Sequence, residues 1–421
     1  MTTIAKKLAQ VKPGSVFAGI DLGLDDCTVV VLDASGQRLD RFKTAHSRDG
    51  YEYLLQRGQQ VVTRSGASGV LVGMEPTNYY WKLVALFLNQ HQIPFRLVNA
   101  LTVKRHREGD QLDQAKDDWR DAFMIADLLR TGKFNETQLR TGPYAELQLG
   151  YAAYWRLRHD RGRQLTLLTN TVRQVFPELQ SVFKDLVGHT ARAVLRSLPA
   201  AARIRTVTCD EFIAQVRRAA QGKRLAVKRL RQLHALAAAS IGLTAGLDSL
   251  CADLQNSLAT LELVDQQSVR LFDSLRTQLR TLPETPYVCS IQGLDEAFAL
   301  GILAETGDLT CYGSGKDLIK LAGTQPTPNT SGRRQRSQTP FSKKGRSRLR
   351  WILYWATLQL LSRNDAIAHY YHALQTRTKH PLTKMEALGA CMNKLLWYVW
   401  CTGHGRNKYD PDRWQSIGKP V

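Results

Sequence analysis

The feature that most restricts the fold is a run of alternating strand-like and helix-like patterns over residues 16–142. "VFAGIDLG" and "CTVVVLDASGQRLDRFKTA" are rich in β-branched and apolar residues and predict three consecutive strands, the last two joined by a hairpin at Ser35-Gly36. "GVLVGME" predicts a buried strand, "NYYWKLVALFLNQ" a helix and "IPFRLVN" a further strand. An acidic helix then follows, so strands and helices alternate through this whole region.

The order of these elements indicates the fold class. Read as β-β-β-α-β-α-β-α, it is the order of the ribonuclease-H-like fold, an α/β arrangement that we expect over residues 1–142. Residues 143–283 carry helical, heptad-like patterns and predict a long antiparallel coiled-coil arm. Residues 284–405 predict a mainly α-helical third domain that becomes strongly basic, and residues 406–421 a tail.

The acidic helix, "AKDDWRDAFMIADLLR" (residues 115–130), has three aspartates within five positions at its start. At helical spacing Asp118 is in line with the apolar stripe, Asp121 lies about 60° to one side and Asp117 about 100°. Asp127 points the opposite way and is predicted to be solvated. Acidic residues favour any helix N-terminus, which explains Asp117 well. A carboxylate in line with a buried stripe is costly without a compensating group, so Asp118 is a candidate site residue.

The charge of the chain restricts its partners. Its 421 residues include 58 Lys+Arg against 37 Asp+Glu, a formal net charge of +21. This surplus predicts a polyanion partner, and a membrane surface is the weaker candidate because no isolated basic amphipathic helix stands out. The apolar runs are too short to span a bilayer, and the first 15 residues lack the apolar core of a signal peptide. Seven scattered cysteines without a CxxC pair predict reduced thiols in a cytosolic protein.

Two more carboxylates lie at predicted strand ends. Asp21 closes the first strand in "GIDLG", and Glu75 closes the fourth in "VGMEPT". A cluster of such groups repels itself unless divalent cations neutralise it, and Mg²⁺ suits carboxylates combined with substrate phosphates. Two such ions can stabilise the attacking and leaving oxygens of a phosphodiester. We therefore predict a site for Mg²⁺, with Mn²⁺ as an alternative, at Asp21, Glu75 and an acidic pair of the helix that follows.

The third region contains a serine followed by glycine within the basic segment "GTQPTPNTSGRRQRSQTPFSKKGRSRLRWILYWA". One interpretation is a basic loop that binds phosphates, with Ser331 an incidental turn residue. The other makes Ser331 a nucleophile toward a DNA phosphate, with arginines neutralising charge. Spacing alone leaves both open. The predicted nucleic-acid contacts are Arg333, Arg334, Arg336, Lys343, Lys344, Arg346, Arg348 and Arg350.

The chain resembles the DEDD transposases of the insertion-sequence group that includes the bridge-RNA-guided recombinases. The matching motifs, in the family's order, are "GIDLG", "GMEPT", "KDDWRDA", "LGILAETGDL", "LAGTQPTPNTSG", "SKKGRSRLRWILYWA" and "AHYYHAL". The resemblance implies a Holliday-junction-resolvase-like (RuvC-like) N-terminal domain with four acidic residues, a helical arm and a C-terminal transposase domain with a serine nucleophile. Matched by position, these residues are Asp21, Glu75, Asp118, Asp121 and Ser331.

Two motifs depart from the family's pattern. Where the family has Lys-Thr-Asp-x-x-Asp-Ala, residues 116–122 read Lys-Asp-Asp-Trp-Arg-Asp-Ala, so Asp117 replaces a threonine beside the ligand position. Where the family has Ile-Pro-Gly-x-Gly, a turn that holds a backbone phosphate, residues 291–295 read Ile-Gln-Gly-Leu-Asp. The lost second glycine favours a structural role in which the turn joins two packed helices.

Together these observations imply a recombinase that cuts and rejoins DNA at insertion-element ends and target, in the prokaryotic cytosol near the nucleoid. By resemblance, a structured non-coding RNA selects both DNAs by base pairing. The arm predicts a homodimer that assembles to a tetramer on two duplexes, because exchange needs four strand cuts. One alternative is a metal-dependent nuclease of the junction-resolvase type without serine chemistry. The other is a packaging protein, for which a basic surface suffices.

Overall fold

A computed structural model of the chain describes residues 3–76, 79–110, 117–134, 139–327, 330–331, 334–335 and 340–414. The chain forms two units, residues 1–140 and residues 141–421. The first unit is built on one mixed β-sheet, and the second unit is almost entirely helical.

The first unit has a five-stranded sheet with helices on both faces. Its elements are α1 (Thr3–Leu8), β1 (Ser15–Leu22), β2 (Asp26–Leu32), β3 (Arg38–Ala45), α2 (Arg48–Ser65), β4 (Gly69–Met74), α3 (Tyr80–Gln90), β5 (Phe95–Leu97), α4 (Ala100–Asp110) and α5 (Asp118–Arg130). The strand order is β3-β2-β1-β4-β5. The first three strands pair antiparallel, and β4 and β5 extend the sheet in parallel from β1. The predicted ribonuclease-H-like class is confirmed by this topology.

Two glycines allow helix α5 to lie directly on the sheet. Gly19 of β1 is paired with Gly73 of β4. A Cβ atom on Gly19 would lie 2.1 Å from the carbonyl oxygen of Ala122, and one on Gly73 would lie 2.5 Å from a methyl group of Leu129. Ala122 and Leu129 are fully buried on the face of α5 that meets the sheet. Glycine at both paired positions therefore sets how closely α5 approaches β1 and β4.

The second unit contains two long helices, α6 (Gly142–Val175) and α12 (Leu247–Leu279). They pack along each other in opposite directions, because Arg161 contacts Asp265 at 2.7 Å while Thr171, further along α6, contacts Asp253 at 3.1 Å. The predicted antiparallel pair is confirmed. The elements between them are α7 (Leu179–Val182), α8 (His189–Ser197), α9 (Ala201–Ile204), α10 (Cys209–Ala219) and α11 (Val227–Ala238). These short helices share one apolar core with the C-terminal end of α6 and the N-terminal end of α12.

The remaining helices enclose a second core with the N-terminal end of α6 and the C-terminal end of α12. They are α13 (Thr285–Val288), α14 (Glu296–Thr306), a 3-10 turn (Leu309–Cys311), α15 (Gly315–Ala322), α16 (Ser347–Leu360), α17 (Asp365–Thr376), α18 (Lys384–Gly405) and α19 (Pro411–Trp414). Two short strands, β6 (Thr330–Ser331) and β7 (Arg334–Gln335), lie between α15 and α16. Within the described residues, every helix is too short or too polar to cross a bilayer. All seven cysteines are free thiols.

Candidate active site

Asp21 and Glu75 follow neighbouring positions of two parallel strands. The register of β1 and β4 pairs Ile20 with Met74. Asp21 is the residue after Ile20, and Glu75 is the residue after Met74. Both side chains are half-buried. Because side chains alternate along a strand, Asp21 lies on the same face of the sheet as Gly19, the face covered by α5. The first two predicted carboxylates therefore lie at the same edge of the sheet.

Helix α5 brings its first turn to the same edge. Asp118 is the first residue of the helix and is exposed, and its Oδ2 lies 3.8 Å from the Nζ of Lys43. The register places Lys43 opposite Thr28, and Thr28 opposite Asp21, in one row across β3, β2 and β1. Asp121 is buried, and it precedes Ala122, whose carbonyl oxygen packs on Gly19. The sheet edge that carries Asp21 thus also receives the aspartates of α5.

Lys43 is a site residue that the sequence did not reveal. Its Nζ lies 3.4 Å from Asp26 Oδ2, in addition to its contact with Asp118, and about half of each of these side chains is buried. The ammonium also lies 6.0 Å from the centroid of the Trp119 ring. Because side chains alternate along a strand, Lys43 and Phe42 lie on opposite faces of β3. Only the packing of α5 shows that the face with Lys43 is the one that carries the aspartates. Lys43 offsets part of the repulsion among these carboxylates.

A neighbouring thiol responds to this negative charge. Burial, and to a smaller extent the charges of Asp26 and Asp21, raises the pKa of Cys27 to about 12. Cys27 is fully buried, and its Sγ lies 3.6 Å from Nδ1 of His46. The thiol therefore stays protonated at neutral pH and is an inert part of the core.

The donor set at this edge suits a hard cation. Carboxylate oxygens are the ligands that Mg²⁺ prefers, and the ion is usually held by one or two carboxylates together with water and substrate phosphates. Within the described residues, no three His, Cys, Asp or Glu side chains form a group that could hold a metal ion. The side chains therefore fit Mg²⁺ in their chemistry, and substrate and water would have to complete the coordination.

The other two aspartates of α5 have structural roles. Asp117 is the N-cap of the helix, and its side chain accepts a hydrogen bond from the backbone N–H of Trp119 at 3.3 Å. The prediction that Asp127 is solvated was wrong. Asp127 is mostly buried and bonds His106 at 3.0 Å as well as Arg130, because this face of α5 packs on α4. Although burial raises it, hydrogen bonds from Arg130 and His106 bring the pKa of Asp127 below its ordinary value.

Ser331 lies in the second unit, within a short antiparallel ribbon. The backbones of Ser331 and Arg334 are paired, as are those of Thr330 and Gln335. The flanking chain is paired as well, since Ser342 N–H donates to Gln325 O at 2.9 Å and Lys343 N–H to Gly323 O at 3.0 Å. We call residues 323–343 the Ser331 ribbon. Only the backbone of Ser331 and Arg334 is described, and Arg333 and Arg336 lie outside the described residues.

The basic residues after the ribbon differ in their surroundings. Lys343 and Lys344 are exposed. Arg348 hydrogen-bonds the carboxylate of Glu305, and Arg346 lies 3.6 Å from the same carboxylate, of which only 3% is exposed. Arg350 donates to the carbonyl oxygen of Ala322 at 2.8 Å. We call the paired ends of the ribbon, Gly323 and Lys343, its base. The three arginines follow this base in the chain and tie it to α14 and α15, and their predicted contact with nucleic acid stays a prediction.

The turn at residues 291–295 has a packing role. Gly293 has a φ of +82°, and a Cβ atom there would lie 2.6 Å from the Cβ of Arg363. Gln359 donates to the carbonyl oxygen of Gly293 at 3.0 Å, and Asn364 donates to that of Gln292 at 2.8 Å. The turn thus joins α13 to α14 and packs on the connection between α16 and α17, as the lost second glycine predicted.

Comparisons with known proteins find transposase-related matches in both units of the chain. A DEDD-type family model of the IS110 group, described as transposase, matches residues 18–177, and a model described as transposase of the IS116/IS110/IS902 family matches residues 286–372. The chain is 24% identical over 394 residues to the mini-circle putative transposase for IS117 of Streptomyces coelicolor, covering 90% of this chain and 93% of that protein. It is 24% identical over 367 residues to an insertion element IS116 uncharacterized 44.8 kDa protein of Streptomyces clavuligerus, covering 85% of this chain and 87% of that protein.

Among solved structures, RuvC of Thermus thermophilus is 16% identical and matches 28% of this chain and 98% of its own, with a TM-score of 0.22. RuvC of the same species in complex with a Holliday junction substrate is 15% identical and matches 29% and 98%, also with a TM-score of 0.22. The two family models together span more than half of the chain, one over most of the sheet unit and all of α6, the other over the region of Ser331. This chain belongs to the IS116/IS110/IS902 family of transposases, which carry out phosphoryl transfer on DNA.

Proposed function

We propose that this transposase cuts and rejoins DNA at insertion-element ends and target with a metal-assisted serine chemistry. The proposal is supported by the register that puts Asp21 and Glu75 at matching ends of β1 and β4, by the contact of Asp118 with Lys43 in the row of Asp21, and by a net charge of +21. Carboxylates that share one end of a sheet favour a cation that is also bound by a phosphate. The proposed ligands are Asp21, Glu75, Asp118 and Asp121.

The residues of the sheet edge would prepare this position for DNA. Mg²⁺ bound there would withdraw charge from the scissile phosphate and stabilise the leaving oxygen. Asp21 is held rigidly, because β1 is paired on both sides. Asp118 is exposed and near Lys43, so its carboxylate is available to a cation that competes with the ammonium. Mn²⁺ has the same preference for oxygen ligands and would substitute.

Ser331 is the proposed nucleophile. Its Oγ would form a bond to phosphorus while the bond from phosphorus to the oxygen of the leaving strand breaks. The proton of the hydroxyl would pass to a base or water, and the leaving oxygen would take up a proton. A serine hydroxyl is a weak nucleophile, so this step needs a strongly polarised phosphate. Arg333, Arg334 and Arg336 lie within five residues after Ser331 and would offset the phosphate charge. The covalent ester would conserve bond energy for rejoining without ATP.

We further propose that a structured non-coding RNA selects both DNAs by base pairing, and that the protein contacts the RNA through its shape and phosphates. The positive charge of the chain supports binding of more than one polyanion. A homodimer that assembles to a tetramer on two duplexes would supply the four strand cuts. The free cysteines and the bacterial relatives support action in the prokaryotic cytosol, near the nucleoid.

A cleavage assay tests this proposal. Purified protein is incubated with DNA that carries an element end, with RNA transcribed from the flanks of the gene, in Mg²⁺, in Mn²⁺ or in EDTA. We expect cleavage in either metal and none in EDTA. Cleavage that persists in EDTA contradicts the metal site. Full cleavage without RNA contradicts RNA guidance and leaves the transposase chemistry in place.

A further inference from the structure

An aromatic pocket lies in the second unit, outside the proposed catalytic residues. It is a cavity of about 380 Å³ between α6, α12, α14 and α16. We define the aromatic pocket by six of its lining residues, Tyr154, Arg158, Phe272, Phe298, Trp351 and Trp355. Five of these six side chains are aromatic and the sixth is a guanidinium, so the pocket offers flat apolar surfaces and one positive charge.

The tryptophans of the pocket are exposed, which is unusual for side chains of this size. Trp351 is 38% exposed and Trp355 is 46% exposed, one turn apart on the same face of α16. Their ring planes are inclined by 57° to each other, and those of Tyr154 and Phe272 by 41°. Neither pair is stacked face to face, and Trp355, the more exposed tryptophan, is the ring that offers a face to a planar group entering the pocket.

Arg158 brings positive charge to the rim of this pocket. Its Cζ lies 5.5 Å from the centroid of the Trp351 ring, and its Nη1 donates to the hydroxyl of Tyr154 at 3.5 Å. Arg158 is itself exposed. A guanidinium at the rim disfavours a cationic ligand and favours a planar group joined to a phosphate. Nucleobases attached to their backbone have both features, and bases of single strands stack on aromatic side chains in this way.

We propose that the aromatic pocket binds an unpaired nucleobase of a single-stranded segment, with the adjoining phosphate at Arg158. This rests on the proposed function, in which the protein holds nucleic acid with unpaired segments. A second copy of the chain is a poorer occupant, because this copy would carry the same net charge of +21 to a rim that is already positive.

The pocket is connected to the Ser331 ribbon through one helix. Arg346, at the N-cap of α16, and Arg348, in its first turn, bind Glu305 at the base of the ribbon, and Trp351 and Trp355 follow on the same helix. The Cζ of Arg348 also lies 5.8 Å from the ring centroid of Tyr151, which lines the cavity. A base held in the pocket would therefore fix the strand relative to the helix that supports the ribbon.

A fluorescence titration tests this inference with defined probes. The probes are a hairpin RNA with one 2-aminopurine in its loop, the DNA hairpin of the same sequence, and a blunt duplex in which the 2-aminopurine is paired. The proteins are the wild-type chain, Trp355→Ala, Trp355→Phe and, as a control, Val269→Ala, an exposed apolar residue of α12 outside the pocket. Circular dichroism melting establishes that every variant is folded.

We expect the wild-type protein to quench the loop 2-aminopurine and not the paired one. Trp355→Ala should abolish the quenching and weaken hairpin binding about tenfold, whereas Trp355→Phe and Val269→Ala should preserve both. Quenching of the RNA hairpin alone, or of the DNA hairpin alone, supports the inference and identifies the source of the base.

Two results would overturn the inference. One is equal binding and quenching by the wild-type protein and Trp355→Ala. The other is unchanged hairpin binding combined with loss of a dimer in Trp355→Ala, as measured by light scattering, which would assign the pocket to a second copy of the chain. Neither result affects metal-dependent cleavage of DNA, so a failure here is distinguishable from a failure of the proposed function.

Discussion

The aspartates at the start of α5 and the basic residues after the Ser331 ribbon look alike in sequence, since each is a dense group of one charge. In the structure they are different. At the sheet edge, Lys43 contacts both Asp26 and Asp118, and Asp118 is exposed. At the base of the ribbon, Arg346 and Arg348 surround the buried carboxylate of Glu305.

This difference separates two uses of clustered charge. The arginines of α16 are satisfied within the protein, so part of the basic segment is architecture that orients the ribbon. The proposed acidic group draws its carboxylates from the ends of β1 and β4 and from the start of α5, and burial, followed by the charges of Asp26 and Asp21, raises the pKa of the Cys27 thiol. An acidic edge of this kind favours a cation from solution. The comparison therefore predicts catalytic losses at the edge and losses of stability at the base of the ribbon.

The largest expected effect is at the sheet edge. Asp21→Asn should reduce strand cleavage at least about a thousandfold, because loss of a metal ligand removes several kcal/mol of transition-state stabilisation. The thermal unfolding of the protein should change little, since Asn has the same shape. Cleavage rates in Mg²⁺ and binding of DNA and RNA are measured for each variant, and binding should be retained.

Asp117 and Asp118 sharpen this test as a matched pair of neighbours. Asp118→Asn should abolish cleavage like Asp21→Asn. Asp117→Asn should remain active, because asparagine caps a helix as well as aspartate does and Asp117 is the N-cap of α5. An equal loss in Asp117→Asn would show that the metal ligand was assigned to the wrong aspartate.

The second effect concerns the base of the ribbon. Glu305→Gln should destabilise the second unit by about 3 kcal/mol, because it leaves the charges of Arg346 and Arg348 without their buried partner. Asp295→Asn is the control, since its ion pair with Arg363 is about half exposed on both sides and should contribute less than about 1 kcal/mol. Urea unfolding measures both. Equal stabilities would mean that the arginines of α16 are free to bind nucleic acid.

The fold of the first unit was readable from the sequence because its signals are local. Apolar and β-branched residues and the turn at Ser35-Gly36 define β1, β2 and β3, and the order of the elements along the chain indicated the fold class. The sequence also led to Asp21, near the end of β1, and to Asp118, which was placed in line with the buried stripe of α5. In the structure Asp118 is exposed and Asp121 is the buried carboxylate. These inferences needed only short stretches of chain.

What the sequence did not reveal depends on distant contacts. Lys43 reaches Asp118 across 75 positions of the chain, and Arg348 reaches Glu305 across 43. Asp127 was expected in solvent because it points away from the apolar stripe of its helix, but α4 packs on that face. Similarly, the heptad-like stretch over residues 225–279 is interrupted between α11 and α12, where packing of short helices overrides the pattern. Tertiary packing decides these features, so no local pattern could predict them.

A third effect tests how the sheet edge is assembled. Gly19→Ala should destabilise the first unit by about 2 kcal/mol, because its Cβ would lie 2.1 Å from the backbone oxygen of Ala122 and 2.5 Å from the nitrogen of Ala126. Gly58→Ala, in the interior of α2 with open space around the new methyl group, should stabilise by about 0.5 kcal/mol. Thermal unfolding measures both changes. A neutral Gly19→Ala would contradict the close approach of α5.

The smallest expected effect concerns Asp127, the aspartate of α5 that is paired within the protein. Its pKa is lowered in the folded state, so its contribution to stability is present above its ordinary value of 3.8 and is lost as the pH falls through the lowered pKa. Asp127→Asn should cost about 1 kcal/mol at pH 7. Urea unfolding of the wild-type protein and of Asp127→Asn is measured between pH 7 and pH 3. The difference between their free energies of unfolding should shrink only below the ordinary pKa of an aspartate. A constant difference would show that the contact is not ionic.

The most direct test of the central claim is whether DNA becomes attached to Ser331. The enzyme, RNA and end-labelled DNA are incubated with Mg²⁺, denatured and separated on a gel. We expect label on the protein with the wild-type chain and with Thr330→Ala, and none with Ser331→Ala. If Ser331→Ala still cuts DNA and releases free ends, the serine is a phosphate contact, and the metal-dependent nuclease without serine chemistry is the correct account.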